Sequence, residues 1–218
     1  MIQKCELFLE KLSELRRQVN ISKFVYRKYK QQGDDYRWHS ICATMDRLDD
    51  TAKYLNSIKI DWDKEFAVFK FYELLNYTCQ IRDMVYDLAE IFSTPLFNIK
   101  ESKVIFGNIG NEKASDDKYI DYLRSLCAIH STKTDHYIKA GYQETKEYCP
   151  YLGEGGRFNS ILKHDKKEIR IRVYQNDAKK HDKFIFIKME DILKYLYMRY
   201  ENIDHISKQI HKLRNKKL

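Results

Sequence analysis

Arg124, Ser125 and His130 are the residues of this chain whose types and spacing suit them best to chemistry. An imidazole titrates near neutral pH, so His130 can take up or deliver a proton. A guanidinium presents a planar fork that fits two oxygens of a phosphate, so Arg124 can stabilise negative charge as it builds there. Ser125 can hold the guanidinium or donate to the same anion. The three lie at the end of an amphipathic run, Tyr119 to His130, with Ile120, Leu123 and Cys127 on its apolar side. Six residues on an ideal helix set two side chains roughly 120° apart. Arg124 and His130 therefore converge only where the helix ends near His130, or where two copies of the chain face each other. Two further pairs have similar spacing: Arg157 with His164 spans a predicted strand and turn, and Arg199 with His205 lies on the last helix.

Other chemistries are weaker. Cys127, His130, His136 and Cys149 offer four zinc-type donors. The first pair has a usual spacing, but the remaining gaps match no standard finger or ribbon. Cys127 falls on an apolar stripe, where a buried thiol is the plainer reading. No metal ligand and no cofactor are assigned. Gly153-Glu154-Gly155-Gly156 lacks the Lys-Ser/Thr of a phosphate-binding loop and reads as a flexible connection. Asp46, Asp49 and Asp50, and Arg82, Asp83 and Asp87, read as solvated helix faces; Asp121 or Asp83 are candidates to orient the Arg124 site.

The elements that must position these residues follow from periodicity. Apolar residues at three- and four-residue steps predict a helix from about Ile2 to Lys30, through Cys5, Phe8, Leu9, Leu12, Leu15 and Val19. Gly33-Asp34-Asp35 breaks it. A second helix spans about Tyr36 to Ile58. A third runs from Asp61, as N-cap, to about Phe92, with Phe66, Phe69 and Tyr72 widening its apolar face so that it is expected to be the most buried. Asp116 or Asp117 caps a fourth, and residues 131–156 read as irregular. The period then changes to two: Ile169, Ile171 and Val173 alternate with Arg170, Arg172 and Tyr174, a half-buried strand with a basic outer face. Phe158 to Leu162 is its candidate partner, and Phe184 to Ile187 gives a further strand. Glu190-Asp191 opens a long last helix to about Leu213. The expected architecture is mainly α: a four-helix bundle over residues 1–156, with a basic β-hairpin plus C-terminal helix over 157–218 packed on it as one domain.

The net charge of +8 is unevenly placed. From Arg157 onward there are 17 Lys and Arg against 8 Asp and Glu, whereas residues 1–156 hold 23 and 24. A basic part on a neutral helical body suits contact with a polyanion. Arg157, Arg170, Arg172, Lys212 and Arg214 are the cations expected to touch nucleic acid, and Tyr174 is the aromatic expected to stack on a base. No run of 18 apolar residues is present, and Met1 to Glu6 lacks a signal-peptide pattern. Five scattered cysteines, an odd number, read as reduced thiols. A cytoplasmic location without membrane contact is the expectation.

Arg124, a polar follower and a histidine six positions on, late in a helical bundle, resemble the motif of the HEPN superfamily (higher eukaryotes and prokaryotes nucleotide-binding), whose members include toxin, abortive-infection and CRISPR-associated ribonucleases. The resemblance covers roughly residues 1–131; Ser125 stands where asparagine, aspartate or histidine is commoner. It implies RNA as substrate, a homodimer whose paired motifs form a composite cleft, and a role in phage defence or as a toxin with a cognate antitoxin or defence partner. His130 would then exchange protons with a ribose 2′-hydroxyl or the 5′-oxygen, and Arg124 would stabilise the phosphate. The rival expectation is a non-catalytic nucleic-acid-binding or adaptor protein on the same bundle.

Under the nuclease expectation, RNA cleavage by the protein persists in excess EDTA. Arg124→Ala and His130→Ala each abolish product on a gel while the circular dichroism spectrum is retained; wild-type cutting by both variants would refute the assignment.

Overall fold

The structure, a computed structural model, describes residues 2–30, 37–62, 64–107, 109–129, 133–143, 147–151, 168–175 and 183–216. His130, Arg157, His164 and the expected strand Phe158–Leu162 lie outside the described residues, as do the Gly33-Asp34-Asp35 and Gly153–Gly156 stretches. The protein is mainly helical, with small antiparallel sheets. In chain order the elements are β1 (Ile2–Lys4), α1 (Glu10–Asn20), α2 (Phe24–Tyr29), α3 (Arg37–Ser57), β2 (Lys59–Asp61), α4 (Ala67–Ile91), α5 (Phe97–Lys100), α6 (Asp116–Arg124), β3 (Lys133–Thr134), β4 (Glu147–Tyr151), β5 (Glu168–Gln175), β6 (Lys183–Lys188), α7 (Met189–Tyr200) and α8 (Asn202–Asn215). No described helix is long and apolar enough to cross a membrane. The chain divides into two units interleaved in sequence: residues 1–4, 58–79 and 98–195, and residues 5–57, 80–97 and 196–218.

In the second of these units α1 packs against α8 and α3. Leu12, Leu15 and Val19 of α1, Ile41, Leu48, Ala52 and Leu55 of α3, and Ile203, Ile206 and Ile210 of α8 are all buried, as their 3.6-residue spacing predicts. Charged pairs rim this core. Lys11 bonds Glu201 and Asp204, and Arg16 bonds Asp46 at 3.0 Å. The side chain of Asn56 receives the Leu7 N–H and donates to the Leu7 carbonyl, at 2.7 and 2.9 Å, so the chain before α1 is tied to the end of α3.

In the other unit β1 pairs antiparallel with β2, Gln3 opposite Ile60. A four-stranded sheet has the order β3-β4-β5-β6, all neighbours antiparallel. Ile169, Ile171 and Val173 of β5 and Ile185 and Ile187 of β6 turn inward and are buried. Strand β6 runs straight into α7, whose Met189 and Ile192 join the core.

One residue sets the geometry around α6. Ser115, in extended conformation, caps the helix by accepting from Lys118 N–H, so the cap lies one residue before the expected Asp116 or Asp117. Asp116 is 1% exposed. Its carboxylate accepts from Ser102 Oγ at 2.8 Å, Phe106 N at 3.0 Å and Ile105 N at 3.3 Å, and its own N–H donates to the Ser102 carbonyl at 2.7 Å. The positive end of the α6 dipole favours the same charge. The clasp folds residues 102–106 back onto the helix and buries Phe106. Gly110 closes the far side of the loop: at φ +87°, a Cβ there would meet the Ala140 carbonyl oxygen at 2.5 Å.

Several expectations are corrected. The predicted first helix is three pieces: strand β1, then α1, then α2 after Ser22 and Lys23 adopt the left-handed region. Before α1 the period is two, with Cys5 and Leu7 buried and Phe8 67% exposed, so Phe8 leaves the apolar stripe. The third helix starts at Ala67, because Asp61 ends β2. Phe66 and Phe69 are each 54% exposed, although the stripe from Phe71 to Phe92 is buried as expected. Residues 147–151, expected to be irregular, form β4. The last helix is interrupted at Glu201, where Asn202 Nδ2 bonds the Met198 and Arg199 carbonyls at 2.8 and 3.1 Å in competition with the helix ladder.

Asp116→Ala leaves buried donors without an acceptor, each costing about 1–3 kcal/mol. Urea unfolding is expected to show a loss of roughly 3 kcal/mol; a change below about 0.5 kcal/mol, the scale of an ordinary surface substitution, would contradict the clasp.

Candidate functional site

Helix α6 ends at Arg124 and passes into a π-helical turn, Ser125–Ile129, against which β4 lies. The widened turn occupies the interval between Arg124 and His130, and His130 itself falls outside the described residues. The Arg124 side chain is 27% exposed, its Nη2 3.8 Å from Asp121 Oδ1. Among the described residues its enclosed Nε has no hydrogen-bond partner. Asp121 also stands 4.0 Å from the Cys79 thiol. Asp83, the other orienting candidate, accepts from Arg82 Nε at 2.8 Å. Ser125 is buried, and its Oγ donates to the Tyr122 carbonyl at 3.0 Å. That hydroxyl supports the turn rather than presenting itself to a ligand. Burial pushes the Cys127 thiol well above its ordinary range, which keeps it neutral and unsuited to be a nucleophile. Among the described residues no three of His, Cys, Asp or Glu are grouped to hold a metal ion.

Tyr119 and Tyr122 of α6 belong to a tyrosine cluster centred on Tyr142. Tyr122 stacks on Tyr142 with centroids 5.3 Å apart and planes 17° apart, and Tyr119 meets Tyr142 edge-on at 5.3 Å. Phe106, delivered by the Asp116 clasp, reaches Tyr119 at 4.7 Å. Tyr142 OH donates to the Ser115 carbonyl, and Tyr195 OH donates to Asp117 Oδ1 at 2.7 Å, which ties α7 to α6. Lys183, the first residue of β6, donates through Nζ to the Tyr142 carbonyl at 2.6 Å. The cluster thus connects α6 to the sheet.

The outer face of that sheet gathers three of the predicted binding residues. Arg170, Arg172 and Tyr174 of β5 alternate with the buried Ile169, Ile171 and Val173. Antiparallel register sets Arg170 opposite Phe186, Arg172 opposite Phe184 and Glu168 opposite Lys188. The Arg170 guanidinium carbon lies 3.7 Å from the Phe184 ring centroid, and that of Arg172 lies 4.8 Å from the Tyr174 ring. Phe186 is 51% exposed. Phe184 and Phe186 were not singled out in the sequence, although period-two alternation through Ile185 and Ile187 was the signal for their facing outward. The remaining predicted cations are Lys212, Arg214 and Arg157. Lys212 is exposed on α8, and the half-buried Arg214 donates to Gln18 Oε1 at 3.1 Å and meets His211 Nδ1 at 2.8 Å. Arg157 is outside the described residues.

Comparison with protein-family models, curated proteins and solved structures found no match.

Burial, together with the nearby Asp191 carboxylate, pushes the Tyr119 phenol up to about 12. The folded pKa is above the unfolded one, so the stability contributed is intact below about pH 10 and is lost as pH rises toward 12. Spectrophotometric titration of Tyr119→Phe is expected to lack one late-ionising tyrosine and to show a shallower alkaline loss of stability over that window; an unchanged titration curve would contradict the buried cluster.

Proposed function

We propose that this protein binds nucleic acid, RNA on the strength of the resemblance, through the outer face of β5 and β6. The single observation that carries the reading is the cross-strand array of Arg170, Arg172 and Lys188 with outward aromatic rings on a sheet whose other face is buried. Guanidinium groups pair with phosphate in two-pronged geometry, and release of counterions supplies affinity without regard to sequence. A basic surplus of nine residues from Arg157 onward adds a long-range field of the same sign.

A second reading is metal-independent RNA cleavage of HEPN type by Arg124 and His130 in a homodimer, in a defence or toxin setting. The π-helical turn that begins directly after Arg124 favours it, since such turns recur at functional sites and widen the helix between the two residues. In this reading the catalytic pair consists of Arg124 and His130, and Ser125 holds the turn. The two readings are compatible: the sheet binds the strand and the turn acts on it.

The double variant Arg170→Glu/Arg172→Glu is expected to weaken RNA binding at least tenfold and to reduce the slope of log affinity against log salt by about two, with an unchanged circular dichroism spectrum. Retention of wild-type affinity and slope would refute the assignment of the face.

A further inference from the structure

We infer that the β5–β6 face takes single-stranded rather than duplex nucleic acid, with unstacked bases laid on Phe186, Tyr174 and the Phe184–Arg170 stack. The inference rests on the binding reading above and deepens it. A duplex offers a side chain its phosphates and groove edges, for which cations suffice. This face instead keeps large rings outward between its cations. Phe186 is 51% exposed, Tyr174 37% and Phe184 36%. Base–aromatic stacking requires a base whose flat face is accessible, which paired and stacked strands do not provide.

Strand geometry gives a second argument. Phe184 and Phe186 are successive outward residues of β6, about 6.8 Å apart along an antiparallel strand. Stacked bases are about 3.4 Å apart. Two neighbouring bases can occupy both positions only after separating from each other, which an extended single strand does at little cost and a duplex does not. The guanidiniums lie in the same array, not beside it. Arg170 covers the Phe184 ring at 3.7 Å, so its outward plane prolongs the stacking surface while its N–H groups reach toward phosphate. Arg172 is set over Tyr174 in the same manner, at 4.8 Å. Charge complementarity selects a polyanion, and the rings select one whose bases are free.

The test is fluorescence anisotropy with the full chain and three labelled probes: a short single-stranded RNA, a strand of equal length lacking bases, and a duplex of the same sequence. The single strand is expected to bind at least tenfold more tightly than either other probe. Phe186→Ala and Tyr174→Ala are each expected to weaken it by about tenfold with an unchanged salt slope, and to leave the abasic strand unaffected. Phe186→Trp, which keeps a stacking ring, is expected to restore binding. Both positions are solvent-exposed, so the variants are expected to fold. Equal binding of the duplex or the abasic strand, or wild-type affinity in Phe186→Ala, overturns the single-strand inference while the polyanion reading stands. Failure of every probe to bind overturns both.

Discussion

The buried carboxylate of Asp116 is the constraint on which the candidate sites depend. A charge 1% exposed to water is tolerated only if hydrogen bonds replace its hydration, and here a hydroxyl and two backbone amides from residues 102–106 do so. The consequence is positional. Phe106 is pressed onto Tyr119, Tyr119 onto Tyr142, and the Tyr142 carbonyl accepts from Lys183 at the start of β6. An interaction at the first turn of α6 is thereby passed through aromatic contacts to the strand that carries Phe184 and Phe186.

The sheet then converts a simple alternation into two surfaces. Isoleucine and valine at every second position fill the core, and arginine, lysine and aromatic residues at the intervening positions are turned outward. The register is strongly specified, because a slip of one residue would turn the apolar set to solvent and the cations inward. Stability and the proposed binding therefore share one pattern: the burial that holds the strands is also what orders the guanidiniums above the rings.

Much of this was legible in the sequence where periodicity was long and uninterrupted. The stripe from Phe71 to Phe92, the stripe of α3 and the alternation of β5 all reappear as buried faces. The sequence was less informative wherever a tertiary contact decides. Nothing local marks Ile2–Lys4 as a strand, since its partner lies more than fifty residues away at Lys59–Asp61. The break at Ser22 and Lys23 has no glycine to announce it, and β4 contains Pro150, which argues against a strand until its neighbours are known. Ser125 was legible as a polar residue after Arg124, but not as a hydroxyl turned back onto the Tyr122 carbonyl.

The arrangement is that of a helical protein with a small sheet that offers stacked cations and rings to solvent. The most direct test of that picture is ultraviolet crosslinking of bound RNA to the protein, with the adducts mapped by mass spectrometry. The account predicts adducts at Tyr174, Phe184 and Phe186. Adducts confined to the basic end of α8, around Lys212 and Arg214, with none on β5 or β6, would contradict it.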